Sequence, residues 1–454
     1  MIPKILYFVF RLLARWRLPG IAAYLLAFVS YWMPMRVATS GSAPRYRALI
    51  MTRPGFAQDI EESFQDSDEF KLIPWPNFAL KAFASAILAP TLDHNHYLTD
   101  DPVETATKAE YRDFLRKLWR HFLAVRPVDV VLTGNFGYFT EREFATVLEE
   151  AGTPFIAMHK ENLKSPGRVK FWHTIYTERR GQFTGRSILV YNEVERDLQI
   201  SSQVMSPEKI KVTGMPRLDK FHRWRRAHAA LKPEVSRPLV LLFAFDRADK
   251  LPAIRRKPAA GIPGNVEPMN GQLGGNLSWA QLGDGLHRAI VRLAKERPDL
   301  DIVIKTKDRL RRQKDIMEML AATGQELPTN LRLVTSGDPF DLVAASTVVI
   351  GFNTSGLLEA LAAGKPVVVP WFGEASHPEM REHIIDLGDA VDYGYSPDEL
   401  IKHVCRHADN AAGASAELTP ETAAALRHWA GNDDGASGHR VRGSICAEIE
   451  HEGR

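Results

Sequence analysis

Cysteine is nearly missing from this 454-residue sequence, which holds only Cys405 and Cys446. Two thiols make neither a disulfide framework nor a zinc cluster, and a reducing compartment fits them. Excess charge is missing too. The net charge is +3, which argues against a strongly basic nucleic-acid binder, so no nucleic-acid partner is expected. The sequence carries no Walker A lysine loop, no clear G-x-G-x-x-G after a first strand, no H-E-x-x-H and no G-x-S-x-G elbow. Among the histidines only His94 and His96 form a tight pair, and a lone H-x-H is a poor metal predictor. Neither a metal nor a cofactor is expected.

What is present is the composition of a folded protein, 45% hydrophobic and 25% charged. The length exceeds one comfortable core, so two domains are the default. The N-terminus stands apart. Residues 5–17 mix large apolar side chains with Arg11, Arg15 and Arg17, and residues 20–33 are apolar between Pro19 and Pro34. The second run is shorter than the roughly 20 residues of a bilayer span. Aromatics interleaved with arginines suit a helix in the headgroup region of an anionic leaflet. Residues 1–40 are therefore expected to form a membrane-associated helical segment.

From Arg47 onward, apolar β-branched runs alternate with helical stretches. Strands are predicted at 47–53, 69–74, 128–133, 154–158, 187–191 and 210–213. After a polar, basic segment at 217–237 come further strands at 238–244, 300–305, 331–334, 347–351, 366–370 and 389–392. Such alternation predicts an α/β chain with two Rossmann-like domains facing a crevice. The boundaries are set at 41–225, 226–415 and a final pair of helices at 416–454. Residues 246–277 lack periodicity, are rich in Gly and Pro and directly follow a strand. A flap over the crevice and a plain insertion both fit them.

Four strand ends carry polar groups toward that crevice. The run Val348-Val349-Ile350 empties into Gly351-Phe352-Asn353-Thr354-Ser355-Gly356 before a helical stretch. Amides and small hydroxyls at such a helix N-terminus can hold a phosphate, and Glu359 lies one turn in, within reach of ribose hydroxyls. Lys305 and Lys307 end another strand and point the same way, suiting a diphosphate. In the first domain the 154–158 strand ends in His159-Lys160-Glu161-Asn162, where Glu161 or His159 can take a proton from an attacking hydroxyl. Asn135 and Tyr138, in the Gly134–Tyr138 turn, are candidates for binding an acceptor. Gly214 and Pro216, followed by Arg217, fit a hinge or crevice floor.

The second domain, with Thr354-Ser355-Gly356, Glu359 and Gly364-Lys365-Pro366-Val367-Val368, resembles the donor half of GT-B glycosyltransferases and of the related non-hydrolysing sugar-nucleotide 2-epimerases. His159-Lys160-Glu161 together with Val212 to Asp219 is similar to bacterial surface-carbohydrate proteins, including capsular Kdo transferases and CDP-glycerol-type polymer transferases. Asp434-Gly435-Ala436-Ser437 with Arg440 looks like the C-terminal helix of that set, which commonly crosses back to the first domain. The resemblance implies donor phosphate on Thr354 and Ser355, ribose on Glu359 and nucleotide contact from Lys305 and Lys307, where many relatives carry a His-Pro pair. Gly351 stands where retaining relatives often carry a first Glu, so an inverting, metal-independent transfer is expected. Asp66-Ser67-Asp68 matches a metal-holding D-x-D by letter but precedes a strand rather than ending one. The implied partners are a nucleotide-sugar donor, a polysaccharide or lipid-linked acceptor and the cytoplasmic face of the inner membrane. A 2-epimerase on the same scaffold and a non-catalytic subunit of a polysaccharide assembly complex are the alternatives.

Overall fold

A strand apolar on both faces must lose both to neighbours, which a parallel sheet with helices on each side provides. The computed structural model describes residues 2–33, 44–52, 55–229, 237–256, 265–267, 277–306, 310–321, 327–410 and 415–452. In the first domain β1 (Tyr46–Thr52), β2 (Phe70–Pro76), β3 (Val130–Thr133), β4 (Phe155–Met158), β5 (Ser187–Val190) and β6 (Ile210–Val212) form one parallel sheet in the order β2-β1-β3-β4-β5-β6. Pro74 and Pro76 lie in β2, an edge strand, where a missing N–H leaves no neighbour without a donor.

The second domain begins with β7 (Leu239–Phe243). A short antiparallel pair, β8 (Ile254–Arg256) and β9 (Asn265–Glu267), follows it inside the stretch expected to lack structure; 257–264 and 268–276 lie outside the described residues. The main sheet adds β10 (Asp301–Lys305), β11 (Leu331–Val334), β12 (Val348–Ile350), β13 (Val367–Pro370) and β14 (Asp392–Gly394), ordered β11-β10-β7-β12-β13-β14 and parallel throughout. The chain is thus two parallel-sheet α/β domains.

The N-terminal segment packs on the first domain. Helices Ile2–Arg15 and Pro19–Trp32 lie on helices Asn77–Ile87 and Pro102–Val125 of the first domain. Phe10, Leu13, Ala14, Ala22, Ala23 and Leu26 are buried in that domain's core, and Phe10 meets Phe83 edge to face at 5.5 Å. Spacings of three and four residues put these apolar side chains on one helix face, and a groove of the same protein takes it. Among the described residues no helix is long and apolar enough to cross a membrane.

The chain crosses between the domains twice, and the crossings are tied together. Met215 N donates to Ala430 O at 2.8 Å, Asn432 Nδ2 to Met215 O at 2.8 Å, and Arg440 Nε to Thr213 O at 3.0 Å. Gly214, at φ +84°, has no room for a side chain, because a Cβ would collide with Ser437 and the Gly431 carbonyl. Asp219 then caps helix Ser437–Glu452, accepting from Ser437 N at 3.2 Å and Gly438 N at 2.8 Å. That helix packs Val441 and Ile445 onto the first sheet, on the face away from the N-terminal helices.

Candidate functional site

The carboxyl ends of β4 and β12 border the crevice, and each ends in a different kind of turn. After β4, Asn162 fixes the backbone: its side chain donates to His159 O and accepts Tyr191 N at 3.0 Å. Beneath that turn lies a buried polar cluster around Glu195. Its carboxylate takes Lys164, Tyr176 Oη at 3.0 Å and Gln199 Nε2 at 2.8 Å. His159 is fully buried there, its Nε2 3.2 Å from Glu195 Oε1 but off the line of a good hydrogen bond. Burial pushes the imidazole pKa down, against the pull of Glu195. Burial would also raise Glu195, yet Lys164 and His159 outweigh it and keep the carboxylate ionised.

Glu161 is different. Its side chain is open to solvent although groups crowd it on every side. That crowding alone would raise its pKa, but Lys250, Lys160, His159 and Lys164 hold it below the usual carboxylate range. Lys250 belongs to the second domain, in the turn after β7, and has φ +62°, uncommon for a non-glycine residue. Charges from both domains therefore act on this carboxylate. Of the two residues expected as a base, Glu161 faces the crevice and His159 supports it from beneath.

The turn after β12 uses backbone and small side chains. Thr354 Oγ1 accepts from Gly356 N at 3.4 Å at the start of helix Ser355–Ala362. Asn353, at φ +49°, fastens the turn to the next loop through His383 O at 2.9 Å and Ile385 N at 2.8 Å. Gly356 has a packing reason, since a Cβ there would meet the Phe243 ring. Glu359 is buried 3.5 Å from Ser355 Oγ; burial raises its pKa, and Arg217 and Lys220 oppose that rise. Arg217 reaches it from the domain crossing, where it also binds Asp59 at 3.1 Å and Tyr191 Oη at 2.8 Å.

Lys305 is not gathered with this group. Its ammonium donates to Thr306 O at 3.2 Å and Ser336 O at 3.3 Å, on the β11 side of β10, with β7 between it and β12. Lys307 lies outside the described residues. Backbone carbonyls thus hold the buried ammonium of Lys305, and the expected pairing with Lys307 falls outside the described residues. In the first domain Asn135 is buried and accepts Gly137 N at 2.8 Å, while Tyr138 lies edge-on to His94 with ring centres 5.7 Å apart. Sequence reasoning missed Lys250, Asp59, Tyr191, Arg168 and Arg180. Only the charged turn that follows a predicted strand, 246–250 after β7, offered a signal.

Helix Pro166–Ile175 completes the crevice wall. Lys170 pairs with Glu382 at 2.6 Å across the domains, and Gly167 leaves room for the His383 ring. Lys220 pairs with Asp338 at 3.1 Å. Among the described residues no group of three or more His, Cys, Asp or Glu side chains is placed to hold a metal ion.

No protein-family model and no curated protein matches the chain. Solved structures do. A UDP-N-acetylglucosamine 2-epimerase matches with a TM-score of 0.50 at 13% identity, covering 90% of this chain and 97% of its own. A UDP-GlcNAc 2-epimerase from Neisseria meningitidis, bound to UDP-GlcNAc, gives 0.47 at 14% identity over 88% and 99%. The wall teichoic acid polymerase TagF gives 0.49 at 9% identity over 99% and 98%. The first of these likenesses is one of fold, the two-domain GT-B arrangement.

Proposed function

We propose that this protein is a glycosyltransferase that moves a sugar from a nucleotide-sugar donor to a surface polysaccharide or glycolipid acceptor, with inversion and without a metal. The observation that carries the reading is Glu161, a solvent-reached carboxylate on the first domain whose pKa is lowered most by Lys250 of the second. The acceptor hydroxyl oxygen attacks the anomeric carbon, Glu161 takes its proton, and the bond from that carbon to the diphosphate oxygen breaks. Thr354, Ser355 and Glu359 serve the donor, and Lys250 and Arg217, which act on Glu161 and Glu359, supply positive charge for the departing diphosphate. A depressed pKa makes Glu161 a weak base on its own. An arriving diphosphate offsets Lys250 and Lys160 and returns basicity to it, so donor binding arms the base.

The fold shared with a UDP-N-acetylglucosamine 2-epimerase favours a second reading, epimerisation of the donor alone, though a fold by itself does not specify chemistry. A thermal-shift panel of UDP, CMP, CDP and GDP, then incubation with the matching sugar nucleotides, tests both. Stabilisation by one nucleotide and sugar transfer only when acceptor is added support the transferase. Epimerised donor without acceptor supports the alternative. Absence of any nucleotide binding leaves a non-catalytic assembly subunit.

We place the acceptor at the cytoplasmic face of the inner membrane. The outer faces of the two N-terminal helices expose Ile5, Phe8 (58%), Trp16, Phe28, Tyr31 and Trp32 (69%) beside Lys4, Arg11 and Arg15. Residues 2–33 contain no Asp or Glu. Aromatics with cations fit an anionic lipid surface. Sedimentation with phosphatidylglycerol vesicles, and not with phosphatidylcholine vesicles, is the expected result, weakened in Phe8→Ser/Trp32→Ser. Equal partition to both lipids rejects the placement.

A further inference from the structure

Beside Glu161 the first domain keeps two arginines that proton transfer does not use. Arg180 ends a π-helical turn, Tyr176–Arg180, that prolongs helix Pro166–Ile175. Such a turn re-aims side chains and recurs at functional sites. Arg180 retains 7% of its accessible surface, and its Nε is buried without an acceptor. Aromatic rings hold its guanidinium: Cζ lies 4.7 Å from the centre of Trp172 and 5.7 Å from that of Tyr176. Arg168 approaches Trp172 as well, at 5.8 Å, and its Nε likewise has no acceptor. Neither arginine has a carboxylate at ion-pairing distance among the described residues. The neighbouring Lys164, by contrast, is neutralised by Glu195.

A buried Arg180 and a half-buried Arg168 with no ion-paired carboxylate among the described residues are costly to keep unless an anion visits them. Their position says where it comes from. Arg180 lies against Gly137, whose missing side chain leaves the space for Nη1. Tyr176, then Glu161, Glu195 and Tyr138, act on its charge, and Glu161 is the strongest anionic influence on Arg168. The arginines thus border Glu161 on the first domain.

We propose that Arg180 and Arg168 form a subsite for a compact anionic group, phosphate or carboxylate, carried by the acceptor next to the hydroxyl it offers. The acceptor is then an acidic saccharide or a phosphorylated glycolipid rather than a neutral glycan. Assigning the anion to the acceptor rests on Glu161 as the base; anion binding itself does not.

The test is titration of the full chain with inorganic phosphate, followed by calorimetry, with glucuronate and glucose as competitors. Phosphate binding that falls at least tenfold in Arg180→Gln and Arg168→Gln, partly recovers in Arg180→Lys and persists in Glu359→Gln is the expected result. UDP affinity should stay unchanged in the arginine variants, whose melting curves report folding. Competition by glucuronate and not by glucose extends the subsite to carboxylates; no competition restricts it to phosphate. Phosphate that fails to bind, binds Arg180→Gln as wild type, or is lost in Glu359→Gln instead overturns the proposal. Should no nucleotide bind while phosphate still depends on Arg180, the transferase reading fails and the anion subsite stands.

Discussion

After β4 the turn carries charged side chains, Lys160 and Glu161, over a buried Lys164–Glu195 pair; after β12 it is made of Asn353, Thr354, Ser355 and Gly356, held by backbone. The two turns occupy equivalent places on similar sheets, so the contrast reflects the ligands and not the fold. A carboxylate that must accept a proton needs surroundings that set its pKa, and only other charges do that strongly. A site for an anion needs donors that stay put, and amides at a helix start supply them without the desolvation cost of a buried ion. The first half is therefore sensitive to pH and to single charge removals, and the second is tolerant of both.

The sharpest way to break this contrast is Glu161→Gln. Turnover should fall by about 10²- to 10⁴-fold while nucleotide affinity holds, since the lost group is a proton acceptor; retained turnover moves the base elsewhere. Next comes stability. Glu195→Ala strands Lys164 as an uncompensated buried charge and should cost about 3–5 kcal/mol in urea unfolding. Thr354→Val removes a cap bond of 3.4 Å and should cost under about 1 kcal/mol. Equal losses at the two positions would erase the distinction.

The join between the halves has a pH dependence of its own. His222 is buried between Asn432 O and Arg225, and burial, then Arg225, lowers its pKa from 6.5 to about 4. The unfolded chain takes up that proton first, so the stabilisation is complete above pH 6.5 and disappears as pH falls toward about 4. The loss is about 3 kcal/mol at most. His222→Gln should flatten melting temperature against pH over this window. The smallest effect is a displacement of a pH profile. Lys250→Met removes the leading cation that holds Glu161 down, so the acid limb of kcat/KM should move to higher pH. An unmoved limb would mean that the domains do not communicate through this pair.

Much of the scaffold could be read from the chain alone. β12 and β13 announce themselves as Val-Val-Ile and Val-Val-Val, because a strand buried on both faces has no polar alternation to hide in. β14 was predicted too early, at 389–392, because Gly388–Ala390 forms a 3₁₀ turn and the strand begins only at Asp392. The β12 turn was legible because its groups are consecutive. The β4 site was legible only in part: Glu161 stands in a readable turn, but the charges that tune it come from Lys250, Arg168 and Arg180, in segments with no periodic signal. Tyr191 and Asp59, which share Arg217, are 132 positions apart, a spacing no local pattern encodes. The N-terminal helices show a third limit. Their amphipathic pattern reports an apolar face, not which surface receives it.

The helix Ser437–Glu452 has a consequence for biosynthesis. It completes the outer layer of a sheet whose first strand is made about four hundred positions earlier, as the 2.8 Å bond from Tyr46 Oη to Glu450 Oε1 records. A ribosome extruding this protein thus releases β1 to β6 with Ile50, Phe64 and Leu132 still uncovered, and they stay wet until the whole second unit has emerged. Nascent chains stalled before residue 437 should therefore be the ones that chaperones hold.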